Sequence, residues 1–153
     1  MIKCLICLVQ AVRAGCDVNA VDYCGLRPVH YAAELAPVNI LRRLLRYSVN
    51  PNALTTGVNK CSAECDRRGH GGRGDMSPLM LAASHGREDA IQLLLKNGAK
   101  PSLTNSRGET ALHFAAATPV GTEECIIALL GQHVGSGRAL VNLLNVQVSV
   151  CRL

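Results

Sequence analysis

Cys61, Cys65 and His70 are the side chains of this 153-residue chain whose types and spacing come nearest to metal chemistry, as Cys61-x3-Cys65-x4-His70. A structural zinc site wants four thiolate or imidazole ligands converging on one point. This set supplies three, and no fourth is identified, so the expectation is no metal, with Cys61, Cys65 and His70 the candidates a metal would use. Cys4-x2-Cys7 has a similar spacing, but it lies on an expected helix with no second pair. The eight cysteines are scattered, and the apolar start Met1–Val9 is too short and too soon interrupted, at Gln10 and Arg13, for a secretory signal. Reduced thiols in the cytoplasm or nucleus are therefore expected. His30 and His113 have the chemistry of general bases. Neither is accompanied by a nucleophile and supporting acid at a recognisable spacing, and no glycine-rich phosphate cradle opens a strand-to-helix turn. No catalytic residue is assigned, and no cofactor is expected. Arg73-Gly74-Asp75 spells a short adhesion tripeptide, a chance-level signal in a chain of this kind.

The elements that must position any site are clearest between Met76 and Ser102. Ser77 is placed to cap a helix whose first turn holds Pro78, where no amide donor is needed. Leu79, Leu81, Ala82 and Ala83 give that helix a narrow apolar face, and His85-Gly86 stops it. A second helix carries Ile91, Leu94 and Leu95 at helical spacing and ends at Asn97-Gly98. Helices this short are marginal alone in water, so each apolar stripe needs a neighbour. That requirement predicts a repeat. Thr110-Ala111-Leu112-His113 follows Ser77-Pro78-Leu79-Met80 by thirty-three residues, and Arg27-Pro28-Val29-His30 precedes it by fifty, one period plus seventeen.

Together with Asp22-Tyr23-Cys24-Gly25 and Asn105-Ser106-Arg107-Gly108 before the first helices, these phrases resemble the ankyrin repeat family, in register from about Leu5 to Asn145. The resemblance implies an all-α solenoid of stacked helix-turn-helix pairs with β-hairpin loops. The expected divisions are a partial repeat over 1–21 (second helix only), repeats over 22–53, 75–104 and 105–145, and a non-repeat tail over 146–153. Residues 54–74, rich in Gly, Arg and Cys, read as an inserted loop. Gly72 is expected in the Asp slot of the next hairpin and Asp75 in its Gly slot. Ser48-Val49 replaces the usual Gly-Ala, and Ile126, Ile127, Leu129 and Leu130 are the expected apolar face of the last helix. Both ends look cut from a longer ankyrin protein.

Composition sets outer bounds. The core must come from Leu, Val, Ile and Ala, because the chain has one Phe, three Tyr and no Trp. No apolar run approaches membrane-spanning length. The formal charge of +5 permits an acidic partner, but without interleaved aromatics it does not argue for nucleic acid. Arg42, Arg43 and Arg46 read as a solvated helix face.

Function, as the resemblance implies it, is recognition of a partner protein whose identity the sequence does not carry. Mapped position by position, the expected partner-binding residues are Tyr23, Cys24, Leu26, Glu34, Leu35, Arg73, Met76, Ser84, His85, Ser106, Arg107, Glu109, Ala117 and Thr118. Tyr23, Leu35, Met76 and Arg107 lead the set, since aromatic, apolar and Arg anchors dominate interface energy. Asn19 resembles the hairpin asparagine that an intracellular hydroxylase modifies in some ankyrin proteins, although a residue bonding its own turn accounts for it as well. Two alternatives stand beside this reading. One is an adaptor whose effector, such as a SOCS box or MYND-type zinc module, is missing. The weaker one is metal or nucleic-acid binding by residues 54–74.

Overall fold

Proline, hydroxyl and imidazole groups start the first helix of each described pair. The computed structural model describes residues 17–22, 25–56, 75–118 and 123–131, which form α1 (Pro28–Glu34), α2 (Val38–Leu44), α3 (Pro78–Ser84), α4 (Glu88–Lys96), α5 (Ala111–Ala117) and α6 (Glu123–Gly131). Pro28 and Pro78 open α1 and α3 with their φ already set. Ser77 Oγ accepts the Met80 N–H at 3.2 Å, the expected cap. In the other two first helices the reciprocal bond comes from histidine. The backbone N–H groups of Arg27 and Thr110 each donate at 2.9 Å to Nδ1 of the residue three further on, His30 and His113. A ring nitrogen thus does what a glutamate does in a capping box. Met80 holds the same position in α3, where its Sδ lies 3.4 Å from the Ser77 N–H, a weaker acceptor.

Two layers follow from the short, stripe-faced helices. α1, α3 and α5 pack side by side in one layer, and α2, α4 and α6 do so in the other, while each helix also packs on its pair. Ala32, Ala33, Ala82, Ala83 and Ala115 keep the first layer thin, and all are buried. Leu41, Leu44, Leu79, Met80, Leu81, Ile91, Leu94 and Leu129 fill the space between layers. Burying each such side chain contributes about 1.5–3 kcal/mol. The all-α expectation holds, with one amendment. Among the described residues the hairpin loops are tight turns, and no strand is assigned.

The expected face of the last helix needs correction at one position. Cys125 and Leu129, one turn apart, are the buried residues of α6, whereas Ile127 is 65% exposed. An isoleucine two positions before Leu129 lies across the helix from the seam that Cys125 and Leu129 define. Ser48 stands where the following repeat has Gly98. Their φ values are +27° and +85°, so the turn keeps its left-handed residue without a glycine.

Polar bridges stitch the layers edge to edge. Arg87 Nη1 donates to the Ala32 and Ala33 carbonyls at 3.2 Å, capping the C-terminal end of α1 from the following repeat. Thr118 Oγ1 reaches back 3.1 Å to the Ser84 carbonyl at the end of α3. Asn52 spans the hairpins, accepting the Lys100 N–H at 2.7 Å and donating to the Gly98 carbonyl at 3.0 Å. Arg27 Nη1 donates to the Asn19 carbonyl at 2.8 Å.

Candidate protein-interaction surface

The turns that precede α1 and α5 are built by one carboxylate or amide oxygen each. Asp22 N–H donates to the Leu26 carbonyl at 2.9 Å and Gly25 N–H to the Asp22 carbonyl at 3.0 Å, while Asp22 Oδ1 accepts the Leu26 N–H at 2.8 Å. Asn105 repeats the pattern with Glu109 and Gly108, at 3.0 Å for both backbone bonds and 2.9 Å from the Glu109 N–H to Oδ1. Gly25 and Gly108 both adopt positive φ, +75° and +77°. Tyr31 OH secures the first turn by donating to Asp22 Oδ2.

The turn before α3 is the same turn with residues inserted into it. Thr55 N–H donates to the Met76 carbonyl at 2.9 Å, Asp75 N–H donates to the Thr55 carbonyl at 3.1 Å, and Thr55 Oγ1 accepts the Met76 N–H at 2.9 Å. Asp75 takes the Gly slot, as expected, with φ +64°. The Asp slot belongs to Thr55, not to Gly72, because a hydroxyl oxygen can accept the same amide proton. The slots of this turn stand twenty residues apart instead of three. Thr56 lies against the preceding tip, its N–H donating to the Gly25 carbonyl at 3.0 Å. A Cβ on Gly25 would stand 1.9 Å from the Thr56 carbonyl oxygen.

These turns and the adjoining helix ends decide where the expected interface residues lie. Tyr23, Cys24 and Arg73 fall outside the described residues, as do Cys61, Cys65 and His70. Leu26 and Met76 are 2% and 3% exposed, so they cannot serve as surface anchors. Each follows the positive-φ residue, where the chain turns inward to start the helix, and Met76 packs in the core beside Asn105. Glu34 is buried too, with Oε1 3.6 Å from His85 Nε2. Glu109 is half-buried and accepts from Asn105 Nδ2 at 2.8 Å. Ser84 donates to the Leu81 carbonyl, and the single Thr118 hydroxyl proton is shared between the Phe114 and Ser84 carbonyls, at 2.8 and 3.1 Å.

Leu35, His85, Ser106, Arg107 and Ala117 remain open to solvent, Leu35 by 45%. Leu35, His85 and Thr118 hold one position in three successive first-layer helices, counted from His30, Met80 and His113. Asn19 donates its backbone N–H to Asp17 Oδ1 at 2.8 Å, so in this turn the side-chain acceptor is Asp17. Sequence reasoning missed Arg87 and Asn52. Asn52 could have been found, since it occupies the Asn19 position one period later.

His30 is held on both ring nitrogens. Nδ1 accepts from Arg27 N–H, and Nε2–H donates to the Ala53 carbonyl at 2.9 Å, so the ring joins a helix start to the next hairpin. Burial pushes its pKa down to about 4, with the hydrogen bond to Ala53 working the other way. A ring so engaged and fully buried is a structural strut. Burial likewise pulls the Arg87 guanidinium below its ordinary value, opposed by nearby Asp89.

Helix pairs stacked in two layers, linked by hairpin turns and closed by edge-to-edge polar bridges, define a helical repeat solenoid. The description "Ankyrin repeats (3 copies)" matches residues 56–138, and the chain belongs to the ankyrin repeat family. Its ankyrin segments are shared with much longer proteins. It is 37% identical over 89 residues to human "Transient receptor potential cation channel subfamily A member 1", covering 58% of this chain and 7% of that protein. It is 31% identical over 108 residues to Drosophila melanogaster "Tyrosine-protein kinase Shark", covering 71% of this chain and 10% of the relative. With Caenorhabditis elegans "Dauer abnormal formation protein 25" it shares 41% identity over 58 residues, 38% of this chain and 14% of that one. Ankyrin repeats are in general protein-interaction modules.

Proposed function

We propose that this chain recognises a partner protein through its hairpin tips and the exposed ends of α1, α3 and α5, without catalysis of its own. The observation that carries the reading is the row formed by Leu35, His85 and the Ala117–Thr118 end of α5, with Ser106 and Arg107 exposed on the hairpin tip that precedes α5. An apolar side chain, an imidazole and an Arg on rigid, hydrogen-bonded supports are suited to anchor a partner at low ordering cost. On the same reading, residues 22–53, 75–104 and 105–145 are three repeats. The part Thr55 takes in its hairpin supports a start for the inserted segment after Thr56, where the sequence pattern put it at 54.

The test is selection of peptide ligands from a displayed library on the full chain, followed by binding measurements on Leu35→Asp and Arg107→Glu variants. Selected ligands should lose about fivefold or more in affinity with either change, since anchors of this kind contribute about 1 kcal/mol or more. Ligands indifferent to both substitutions would overturn the reading. A second reading, an adaptor serving a larger effector, is favoured by the long relatives named as a channel and a tyrosine kinase, of which the matched repeats are a small share. No helix among the described residues is long and apolar enough to cross a membrane.

A further inference from the structure

The second-layer face of α2 carries charge that the fold does not use. Arg42, Arg43 and Arg46 are all exposed, and among the described residues no carboxylate lies within ion-pairing distance of any of them. Arg42 and Arg43 lie in the last turn of α2 and Arg46 in the turn that follows it, so three like charges stand within five residues of one another. The helix contains no acidic residue to offset them, and its first turn offers Asn39 where a glutamate would have paired. Lys96 on α4 extends the patch. It stands in the position of Arg46 one repeat on, and α2 packs against α4. Tyr47, 39% exposed, lies beside Arg46 in the chain.

Two cations at the end of a helix suit its dipole. Three arginines and a lysine with no acid among them exceed that need.

We infer that Arg42, Arg43, Arg46 and Lys96 form a second recognition surface, on the opposite layer from the first, for a short acidic segment of a partner protein. Guanidinium forks match carboxylates bidentately, and Tyr47 offers an apolar ring with a hydroxyl at the edge of the patch. The occupant must be short. Glu88, Asp89, Glu123 and Glu124 open α4 and α6, so the opposite end of the same layer is acidic. A long polyanion such as a nucleic-acid strand laid across the layer would meet that row, whereas a peptide segment confined to the helix C-terminal ends would not.

The experiment is fluorescence anisotropy of the full chain with a labelled glutamate-rich peptide and, separately, a single-stranded oligonucleotide of equal charge, over a salt series. The variant is R42E/R43E/R46E, and K60E/R67E/R68E, with the same change in net charge, is its control. The α2 variant should weaken peptide binding by about tenfold or more, while the control stays within about twofold. A milder Arg42→Gln, Arg43→Gln, Arg46→Gln variant guards against misfolding and should show the same direction. Equal losses in both charge reversals would overturn the proposal, since net charge alone would then explain binding. So would absence of peptide binding at low salt. Tighter binding of the oligonucleotide, lost in the α2 variant, would replace the acidic peptide with nucleic acid. Ligands selected for the Leu35 and Arg107 surface should be indifferent to the α2 changes, which keeps failure of the two proposals distinguishable.

Discussion

Acidification should destabilise this protein through His30 before the ring's own native pKa is reached. The unfolded chain holds this imidazole at its ordinary pKa of 6.5, whereas the native ring stays neutral down to about 4. Above pH 6.5 both states are neutral and the residue's contribution is whole. Between those values the unfolded chain takes up a proton that the native chain refuses, so stability falls as pH falls, and the loss is complete below about 4. The gap amounts to about 3 kcal/mol, a large share of a small domain's stability. The geometry gives the cost a local cause. A proton on Nδ1 would remove the acceptor for the Arg27 N–H at the start of α1 and place a buried charge beside Arg27. Urea unfolding followed by circular dichroism, at closely spaced pH values from neutrality to about pH 4, measures the slope. His30→Met, which copies Met80 of the next repeat, removes the titration. Other groups titrate in both proteins, so the difference between the two curves isolates His30. That difference should shrink as pH falls through the window. Parallel curves would refute the reasoning, as would an NMR titration in which the His30 ring protonates near its ordinary pKa.

Three further outcomes follow from single contacts. Gly25→Ala should cost about 3 kcal/mol or more and Gly108→Ala only about 1–2 kcal/mol by urea unfolding, because both need positive φ but only at Gly25 would the new Cβ strike the Thr56 carbonyl. Arg87→Met should cost about 1–2 kcal/mol and speed amide exchange near the end of α1, since the Ala32 and Ala33 carbonyls lose their shared donor. Deleting residues 57–73, which brings Thr55 and Asp75 to the three-residue spacing of Asp22 and Gly25, should leave helicity intact. It should raise stability by about 1–2 kcal/mol through the shorter loop closure; a loss would mean that the segment belongs to the stack.

The helices were legible because their signals are local. Pro28, Ser77-Pro78, Gly86 and Gly98 act within a turn of themselves, and the Leu and Ala spacing states which face is buried. The interface positions were less legible because exposure depends on where the next repeat falls. Leu26 and Met76 occupy slots next to hairpin tips, yet the chain has already turned inward there, and a side chain one residue past the tip enters the core. Leu35 and His85 lie at helix ends, where a three-dimensional edge coincides with a sequence boundary, and there the mapping placed them on the surface. Arg87 carries no pattern, because its partners are carbonyls on a helix more than fifty residues away.

A deeper reason separates the legible from the hidden. Each slot of the repeat is filled by whatever group can make the required bond, so residue identity is a poor guide to role. The acceptor that closes the turn is a carboxylate in Asp22, an amide in Asn105 and a hydroxyl in Thr55. The left-handed residue is Gly25, Gly108 or Asp75, and the group facing the helix start is an imidazole twice and a thioether once. A match by letter therefore assigns the Asp slot to the nearest residue in register, Gly72, which has no side chain to accept a proton. A match by hydrogen-bonding capacity passes over the inserted residues and finds Thr55. The same criterion separates the two candidate surfaces from the scaffold. Asp22, Asn105, His30 and Arg87 spend their polar groups on the fold, whereas Arg107, Arg42, Arg43 and Arg46 keep their guanidinium groups exposed to solvent, where a partner can meet them.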